Sequence, residues 1–331
     1  FIMNILLGLS ILLCLFGVLF RLFFWFSKGT HPPEDSVSAS SRLSTAAGST
    51  VSSIFGSGIA TLVKTFFTDI IFQKRLLAAS VRRWITHSLI FFGFICLLIM
   101  HGLGNSVSEI IFSESYEDFA AMQPYLSLRN LFALMVLAGL ALAVYRRLTD
   151  SPKRVKSLPS DWAAIAFVAM IIITGMLLET SRISSYSYYK EEMVDVYGDL
   201  ADEDEELALE TYWAAEHGLV SANAVKPYDP ELVEQGREIS ENSCAACHSS
   251  SGGAFISFSL AKIIGPAVSG GATFFFWLHI ITCLAFLAWL PFSKMFHLVS
   301  VPVSLLINGI TGFKEKSAGP AQLLNRQMIG L

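Results

Sequence analysis

The sequence alternates between long apolar runs and polar segments. Five runs reach the length of about 20 residues that a helix rising 1.5 Å per residue needs to cross a hydrocarbon core of about 30 Å. The predicted transmembrane helices are residues 2–26, 83–103, 128–146, 161–180 and 272–296. The pattern therefore predicts an all-α integral membrane protein with a five-helix transmembrane bundle.

The amino-acid composition leads to the same class. The chain is 53% hydrophobic and 15% charged, whereas soluble domains carry about 25% charged residues. The first apolar run lacks a preceding basic segment and a small-residue cleavage site, and its charges, Arg21 and Lys28, follow the apolar residues. We expect it to be a retained helix and not a secretory signal.

The segments between the predicted helices differ in charge. Basic residues concentrate in 27–82 and in the link after the third helix, which predicts a cytoplasmic location for both. The link after the second helix and the segment 181–271 are acidic and are predicted to face outward. The N-terminus would then lie outside and the C-terminus inside a bacterial or archaeal cytoplasmic membrane. The predicted regions are 1–180 with four helices and the cytoplasmic loop 27–82, 181–271 as an exported loop, and 272–331 with helix five and a cytoplasmic tail.

The exported loop contains the sequence Cys-Ala-Ala-Cys-His at residues 244–248. This spacing is the attachment pattern of c-type haem, with thioethers to Cys244 and Cys247 and with His248 on the iron. A chance match or a metal knuckle is the alternative, and export of the loop argues against both. The preceding helical pattern and the segment Ile-Ile-Gly-Pro-Ala-Val at 263–268 resemble parts of a class I cytochrome c. We therefore predict a minimal cytochrome c-like insertion between helices four and five.

The second axial ligand of this haem has no candidate downstream, because no Met lies between His248 and helix five. His217 is the other histidine of the exported loop, and Met193 is its methionine. We predict His217 as the distal ligand. The alternative is an ordinary surface histidine, with a neighbouring subunit or water at the iron.

Four histidines lie on predicted helices two and five, where ionisable groups are costly and indicate function. His279 and His297 are 18 residues apart, five full turns or about 27 Å on one helix, and His87 and His101 are 14 residues apart, about 21 Å. Antiparallel helices would pair His87 with His297 on the inner side and His101 with His279 on the outer side. Two stacked b haems fit this arrangement. Alternatives are histidines that snorkel to the interface and a divalent metal, whose ligands would be a turn apart.

Basic residues flank the predicted inner pair. Arg82, Arg83 and Lys294 could hold haem propionates, although positive-inside anchoring explains them equally well. The other cysteines, Cys14, Cys96 and Cys283, lie within predicted spans and are interpreted as packing residues.

Two stretches carry a family resemblance. "RRWITHSLIFFGFICLLIMHGL" and "HIITCLAFLAWLPFSKMFHLVSVPV" resemble the gamma-subunit family of respiratory nitrate reductase, a five-helix dihaem cytochrome b. The helix-two spacing, "LVKTFFTDIIFQKRLLAAS" and "IIITGMLLETSRIS" are more similar to membrane subunits of heterodisulfide-reductase-like and sulfite-reduction-associated complexes. The CxxCH insertion departs from the nitrate reductase subunit.

The resemblance implies an electron-transfer subunit of a quinone oxidoreductase, with menaquinone or another quinone as substrate. It also implies two haem b groups and a cytoplasmic iron–sulfur subunit, for which the apolar-rich segment 58–73 is either a docking helix or an interfacial one. Arg129 and Glu179 are candidate quinone-site residues, and an ion pair between Glu179 and Arg182 is the alternative. A second function remains open, a quinone-independent conduit from exported c-type cytochromes to a cytoplasmic reductase. Other complex subunits and membrane lipid are expected partners, and nucleic acid is not.

Overall fold

Helices make up the secondary structure that the computed structural model describes. It describes residues 2–27, 40–41, 44, 48, 59–102, 104, 124–150, 158–195, 200, 203–244 and 253–310, and these contain no β-strand. The α-helices are α1 Ile2–Ser27, α2 Ile59–Thr65, α3 Lys74–Ala79, α4 Val81–Gly102, α5 Tyr125–Thr149, α6 Pro159–Ser184, α7 Tyr186–Tyr188, α8 Glu203–Glu216, α9 Pro230–Ile239, α10 Phe255–Val268, α11 Ala272–Trp289 and α12 His297–Ile310.

Five helical segments among the described residues are long and apolar enough to cross a membrane. They are Ile2–Trp25, Val81–Gly102, Tyr125–Thr149, Pro159–Ser184 and Phe255–Phe292. The predicted all-α membrane architecture with five spans is therefore confirmed. The fifth segment begins at Phe255 and not at residue 272, because α10 is itself apolar and carries Lys262 as its one charged residue. The Gly265–Pro266 pair, assigned above to a cytochrome c-like element, lies inside α10.

The fifth segment does not continue as one helix to His297. Two short 3₁₀ turns, Leu290–Phe292 and Lys294–Phe296, follow α11, and Ser293 between them has an extended backbone. Pro291 lacks a backbone N–H, and Ser293 accepts a hydrogen bond from the backbone N–H of Met295 at 3.1 Å, so α12 starts afresh. The expectation that His279 and His297 share one helix, five turns apart, is therefore wrong.

The chain divides into two compact units, one of residues 1–85, 152–167 and 283–331 and the other of residues 86–151 and 168–282. In the first unit α1 passes close to the turn after α11, since a Cβ at Gly17 would lie 2.4 Å from the Pro291 side chain. Arg21 Nε donates to the Pro291 carbonyl at 3.1 Å. Helix α2 packs against α12. The segment 58–73, predicted to be either a docking helix or an interfacial one, is therefore helical over residues 59–71 and contacts α12.

In the second unit α4 and α5 approach each other closely through glycines. A Cβ at Gly93 would lie 2.7 Å from the Phe132 carbonyl oxygen, and one at Gly139 would lie 2.6 Å from the Ile90 side chain. Small residues at such crossings permit the close contact on which helix association in membranes depends. This contact fixes the position of α5, which carries Arg129 and Asn130.

The described residues of 186–244 (186–195, 200 and 203–244), called the extension below, form a small helical region in the same unit. Its core consists of Tyr189, Val194, Leu209, Trp213, Ala214 and Leu219. Helix α9 lies against α8 so closely that a Cβ at Gly236 would lie 2.0 Å from the Ala208 carbonyl oxygen. Asp229 caps α9 by accepting the Glu231 N–H at 2.9 Å, which confirms the predicted helix before the CxxCH sequence.

The extension packs against α10 at Gly218, which has a φ of +82°. A Cβ there would lie 2.6 Å from the backbone of Ala261, so a larger residue would be both strained and crowded. A π-helical turn, Ser240–Cys244, follows α9. Cys247 and His248 lie outside the described residues, and the cytochrome c-like insertion stays a prediction.

Candidate cofactor site

The predicted outer pair, His101 and His279, lies within one unit of the structure. His101 is near the end of α4, and His279 is in the first half of α11. The two imidazoles are close enough for a charge on one to act on the other. The second unit therefore brings together the two histidines that the sequence analysis paired.

The His279 ring is oriented by α6. Thr174 Oγ1 lies 3.1 Å from His279 Nδ1 and donates its own hydrogen to the Met170 carbonyl at 2.7 Å. Because that hydrogen is committed, Thr174 accepts the bond and His279 Nδ1 carries the proton. Nε2 then keeps its lone pair for a metal, as in most metal-ligating histidines. Gly175 makes room for the ring, since a Cβ there would lie 3.1 Å from His279 Cε1.

The His101 ring is oriented by its own helix. Its Nδ1 lies 2.8 Å from the Leu97 carbonyl oxygen. A carbonyl oxygen only accepts hydrogen bonds, so Nδ1 is the protonated nitrogen and Nε2 keeps its lone pair. Both histidines of the outer pair therefore have the tautomer that axial ligation requires.

The predicted inner pair is divided between the two units, and its pairing stays a prediction. His297 Nδ1 donates to the Lys294 carbonyl at 2.9 Å, which again frees Nε2. His87 stacks on Phe91 with ring centroids 6.2 Å apart. Lys294, a candidate propionate ligand, forms an ion pair with Asp161 at 2.8 Å.

A polar cluster lies beside the outer pair, and Arg129 and Glu179 form its ion pair. Arg129 Nη2 is 2.9 Å from Glu179 Oε1, and both residues lie within electrostatic reach of His101. The alternative pairing of Glu179 with Arg182 is wrong, because the Arg182 guanidinium lies over the Tyr188 ring at 5.1 Å. Both predicted quinone-site residues therefore belong to one cluster on α5 and α6.

Asn130 completes this cluster and was missed by the sequence analysis. It is 3% exposed, and its Nδ2 donates to Glu179 Oε1 at 3.2 Å. Its Oδ1 accepts the backbone N–H groups of Ile256 and Ser257 at 3.2 and 3.3 Å. The sequence did contain an indication of this role. Asn130 follows Arg129 inside a predicted span, and a buried amide in a membrane needs hydrogen-bond partners.

The donor set fits haem iron. Porphyrin supplies four nitrogens, so the protein needs to provide only one or two axial ligands. Among the residues that the structure describes, no group of three or more His, Cys, Asp or Glu side chains could hold a bare metal ion. A pair of imidazoles with protonated Nδ1 atoms and available Nε2 atoms suits a bis-histidine haem instead.

His217, the predicted distal ligand of the c haem, is buried. It is 4% exposed, and its ring contacts Trp213 and Phe258 with centroids 4.7 Å away. The alternative of an ordinary surface histidine is therefore wrong. Burial lowers the pKa of His217 to about 4, so the imidazole is neutral, as ligation requires, and its buried Nδ1 has no hydrogen-bond partner within the described part of the chain. Cys244, the first residue of the CxxCH sequence, is the last residue of the π-helical turn. The side chain of Met193 lies outside the described residues.

Comparison with known proteins matches part of the chain. Residues 71–200 match the family "Nitrate reductase gamma subunit", a segment that contains His87, His101, Arg129 and Glu179. The chain is 34% identical over 124 residues to a subunit of dihydromethanophenazine:CoB–CoM heterodisulfide reductase from Methanosarcina thermophila, covering 37% of this chain and 47% of that protein. The corresponding Methanosarcina mazei protein shows 34% identity over 124 residues, covering 37% and 48%.

These matches confirm the resemblance to a nitrate reductase gamma-like membrane subunit of the heterodisulfide reductase type. The chain spans about half the length of the curated relatives that it matches. No solved structure matches it. Together with the five apolar helices, the matches indicate that the protein resides in a membrane.

Proposed function

We propose that this nitrate reductase gamma-like protein is the membrane cytochrome subunit of a respiratory redox complex. It transfers electrons between menaquinone or another quinone and a cytoplasmic iron–sulfur subunit of the heterodisulfide reductase type. When bound, two haem b groups supply reversible one-electron carriers across about 30 Å of hydrocarbon, and one haem c extends the path on the exported side. The observation that carries the proposal is the oriented pair His101 and His279 beside the Arg129–Glu179 cluster.

The residues of the outer site have separate roles in this proposal. His101 and His279 ligate one iron, and His87 and His297 ligate the other. Thr174 and the Leu97 carbonyl hold Nδ1 protonated on the outer pair, which fixes the direction in which each Nε2 points. Cys244, Cys247 and His248 would hold the c haem, and His217 would be its second protein ligand.

The Arg129–Glu179 cluster is the proposed quinone site. Glu179 is positioned to accept a proton that a quinol releases on oxidation, as a general base. Arg129 keeps this carboxylate in place through its ion pair of 2.9 Å and offers a donor to a quinone oxygen. Arg129 and Glu179 are close enough to His101 to interact with it electrostatically. A quinone bound at this cluster would therefore lie next to the outer haem.

The partners follow from the proposed topology, with the N-terminus and the extension outside and the C-terminus in the cytoplasm. An iron–sulfur subunit would dock on the cytoplasmic face, where α2 packs against α12. An exported c-type cytochrome would approach the extension, whose helix α8 begins with Glu203, Asp204, Glu205 and Glu206. Acidic residues there suit a basic partner surface.

That acidic surface and the CxxCH sequence favour a second candidate function. In this alternative the chain is a quinone-independent conduit that carries electrons between exported c-type cytochromes and a cytoplasmic reductase. The two functions differ in the roles of Glu179 and Arg129. A quinone-independent conduit needs neither residue to bind a quinone or to accept its proton.

Reduction of the b haems in reconstituted vesicles distinguishes the two functions. We expect a quinol to reduce both b haems in the complex, and Glu179→Gln to slow this step by about 10²-fold or more, the usual contribution of a general base. Thr282→Val is the control, because among the described residues the Thr282 hydroxyl bonds its own helix, at the Leu278 carbonyl. Reduction by c-type donors alone would favour the conduit. Haems that dithionite reduces but no quinol or c-type donor reduces would contradict both functions.

A further inference from the structure

Asn130 joins the proposed quinone site to the start of α10. Its side-chain oxygen faces the backbone N–H groups of Ile256 and Ser257, which only donate, and its side-chain nitrogen faces a carboxylate and the Leu126 carbonyl at 3.3 Å, which accept. Every partner agrees on one orientation of the amide. Docking of α10 therefore supplies the two donors that hold Oδ1 away from Glu179, while Nδ2 donates to Glu179 and to the Leu126 carbonyl.

We propose that Asn130 is a positioning residue that makes the geometry of Glu179 depend on the docking of the α10 N-terminus. This inference rests on the proposed function, because Glu179 is the quinone-site carboxylate there. With α10 docked, Arg129 and Asn130 both donate to Glu179 Oε1. Without α10, the amide loses the two donors that hold Oδ1, and the contact of Nδ2 with Glu179 loses that support.

The consequence is a link between the quinone site and the exported side of the protein. The segment that carries the CxxCH sequence leads directly into α10, and α10 also contacts the extension at Gly218 and through the tilted ring contact between His217 and Phe258. A rearrangement of the extension that moves the first turn of α10 would thus be transmitted to Glu179 through one side chain. Both Asn130 and Ser257 are buried, so water does not compete for these bonds.

Asn130→Asp separates positioning from docking. Its carboxylate still accepts the Ile256 and Ser257 N–H groups, but it offers no donor to Glu179 and places a second carboxylate beside it. In the intact complex we expect wild-type haem content and unchanged hydrogen exchange of the peptide containing Ile256 and Ser257. We expect the KM for a quinol analogue to rise about tenfold, the factor that corresponds to one lost hydrogen bond to a charged group.

The double variant Asn130→Asp with Glu179→Gln is the matched control. It restores an amide-to-carboxylate bond between α5 and α6 but moves the carboxylate to the other helix. If Asn130 acts on the reaction through Glu179, Asn130→Asp has no further effect on the rate of quinol oxidation in the Glu179→Gln background. A double variant that is clearly slower than Glu179→Gln alone would overturn the proposal, because Asn130 would then act independently of Glu179.

A readout without quinol keeps this inference separate from the quinone function. Glu179→Leu should speed hydrogen exchange at Ile256 and Ser257 several-fold, because the Asn130 amide loses its second anchor, and should have no further effect in the Asn130→Leu background. Equal effects of Glu179→Leu in both backgrounds would overturn the link even if quinol reduces the haems. If Glu179→Leu affects exchange only when Asn130 is present, but no quinol is oxidised, then the link between Glu179 and α10 is supported and the quinone role is contradicted.

Discussion

At the scale of single residues, Thr174 orients the His279 ring so that its Nε2 is available as a ligand. Its Oγ1 accepts a hydrogen bond from the protonated Nδ1 of His279, while its own hydroxyl donates to the Met170 carbonyl. Thr174→Val keeps the shape and removes the acceptor. We expect the outer haem to bind about 10- to 100-fold more weakly, the usual effect of losing a partner of a ligating histidine.

The measurement for Thr174→Val is haem b content with a redox titration of the purified protein. Thr282→Val serves as control, since Thr282 is similarly buried and, within the described part of the chain, donates to the Leu278 carbonyl of its own helix. Full retention of the outer haem at its wild-type potential in Thr174→Val would show that the Thr174 contact does not orient the ligand.

His217 carries the second residue-scale prediction. The structure places it in an aromatic pocket with Tyr212, Trp213 and Phe258, so loss of packing must be separated from loss of a ligand. His217→Phe fills the pocket and removes the nitrogens. We expect a changed c-haem absorption spectrum and midpoint potential in His217→Phe, and wild-type values in the control Phe258→Leu, which loosens the same cluster. An unchanged spectrum in His217→Phe would exclude His217 as the distal ligand.

Which side chains lie near each other could be predicted from the sequence only where residue spacing along a helix determines it. Helical periodicity and opposite helix directions predicted that His101 and His279 pair, and the structure places both in one unit; ligation of one haem by the two histidines stays a prediction. The partner of Glu179 could not be predicted, because Arg129 and Arg182 are both near helix ends and tertiary packing makes the choice. Asn130 was missed since its partners include backbone N–H groups of α10, a helix that the sequence analysis assigned to the exported loop.

At the scale of elements, the α8–α9 contact shows how the extension is built. Gly236 lies against the backbone of Ala208, where an added Cβ would come within 2.0 Å of the carbonyl oxygen. Gly236→Ala should therefore separate the helices and destabilise the extension by about 1–3 kcal/mol, the usual cost of overpacking. Thermal unfolding or limited proteolysis of the extension would measure this.

Gly270→Ala is the matched control for Gly236→Ala, because no atom of the described residues lies within 4 Å of a Cβ added at Gly270. Equal stabilities of the two variants would contradict the close contact between α8 and α9.

Element boundaries were predictable only where composition changes sharply. The four earlier spans agree with the apolar runs within a few residues, since lipid-length runs leave few alternatives. The fifth differs because its hydropathy continues back to Phe255, while Gly265 and Pro266 indicated a loop. Pro291 and Ser293 end α11 before His297, and the periodicity argument took no account of that break.

At the scale of the whole molecule, the proposed function fixes a cofactor ratio. Two histidine pairs and one CxxCH sequence predict two extractable b haems and one covalent c haem per chain. The pyridine haemochrome assay measures this ratio directly. Any ratio other than two b to one c would contradict the proposal.

The pairing of the histidines is the last prediction. Both imidazoles of the outer pair are held in the ligating tautomer within one unit, so His101→Ala and His279→Ala should remove the same b haem. The inner pair is predicted from sequence alone, and His87→Ala and His297→Ala should remove the other. The test is a redox titration of each variant, in which the two b haems are distinguished by their midpoint potentials. If His87→Ala and His279→Ala abolished the same haem, helices α4 and α11 would pair their histidines differently, and an electron path ordered from the outer site to the inner one would fail.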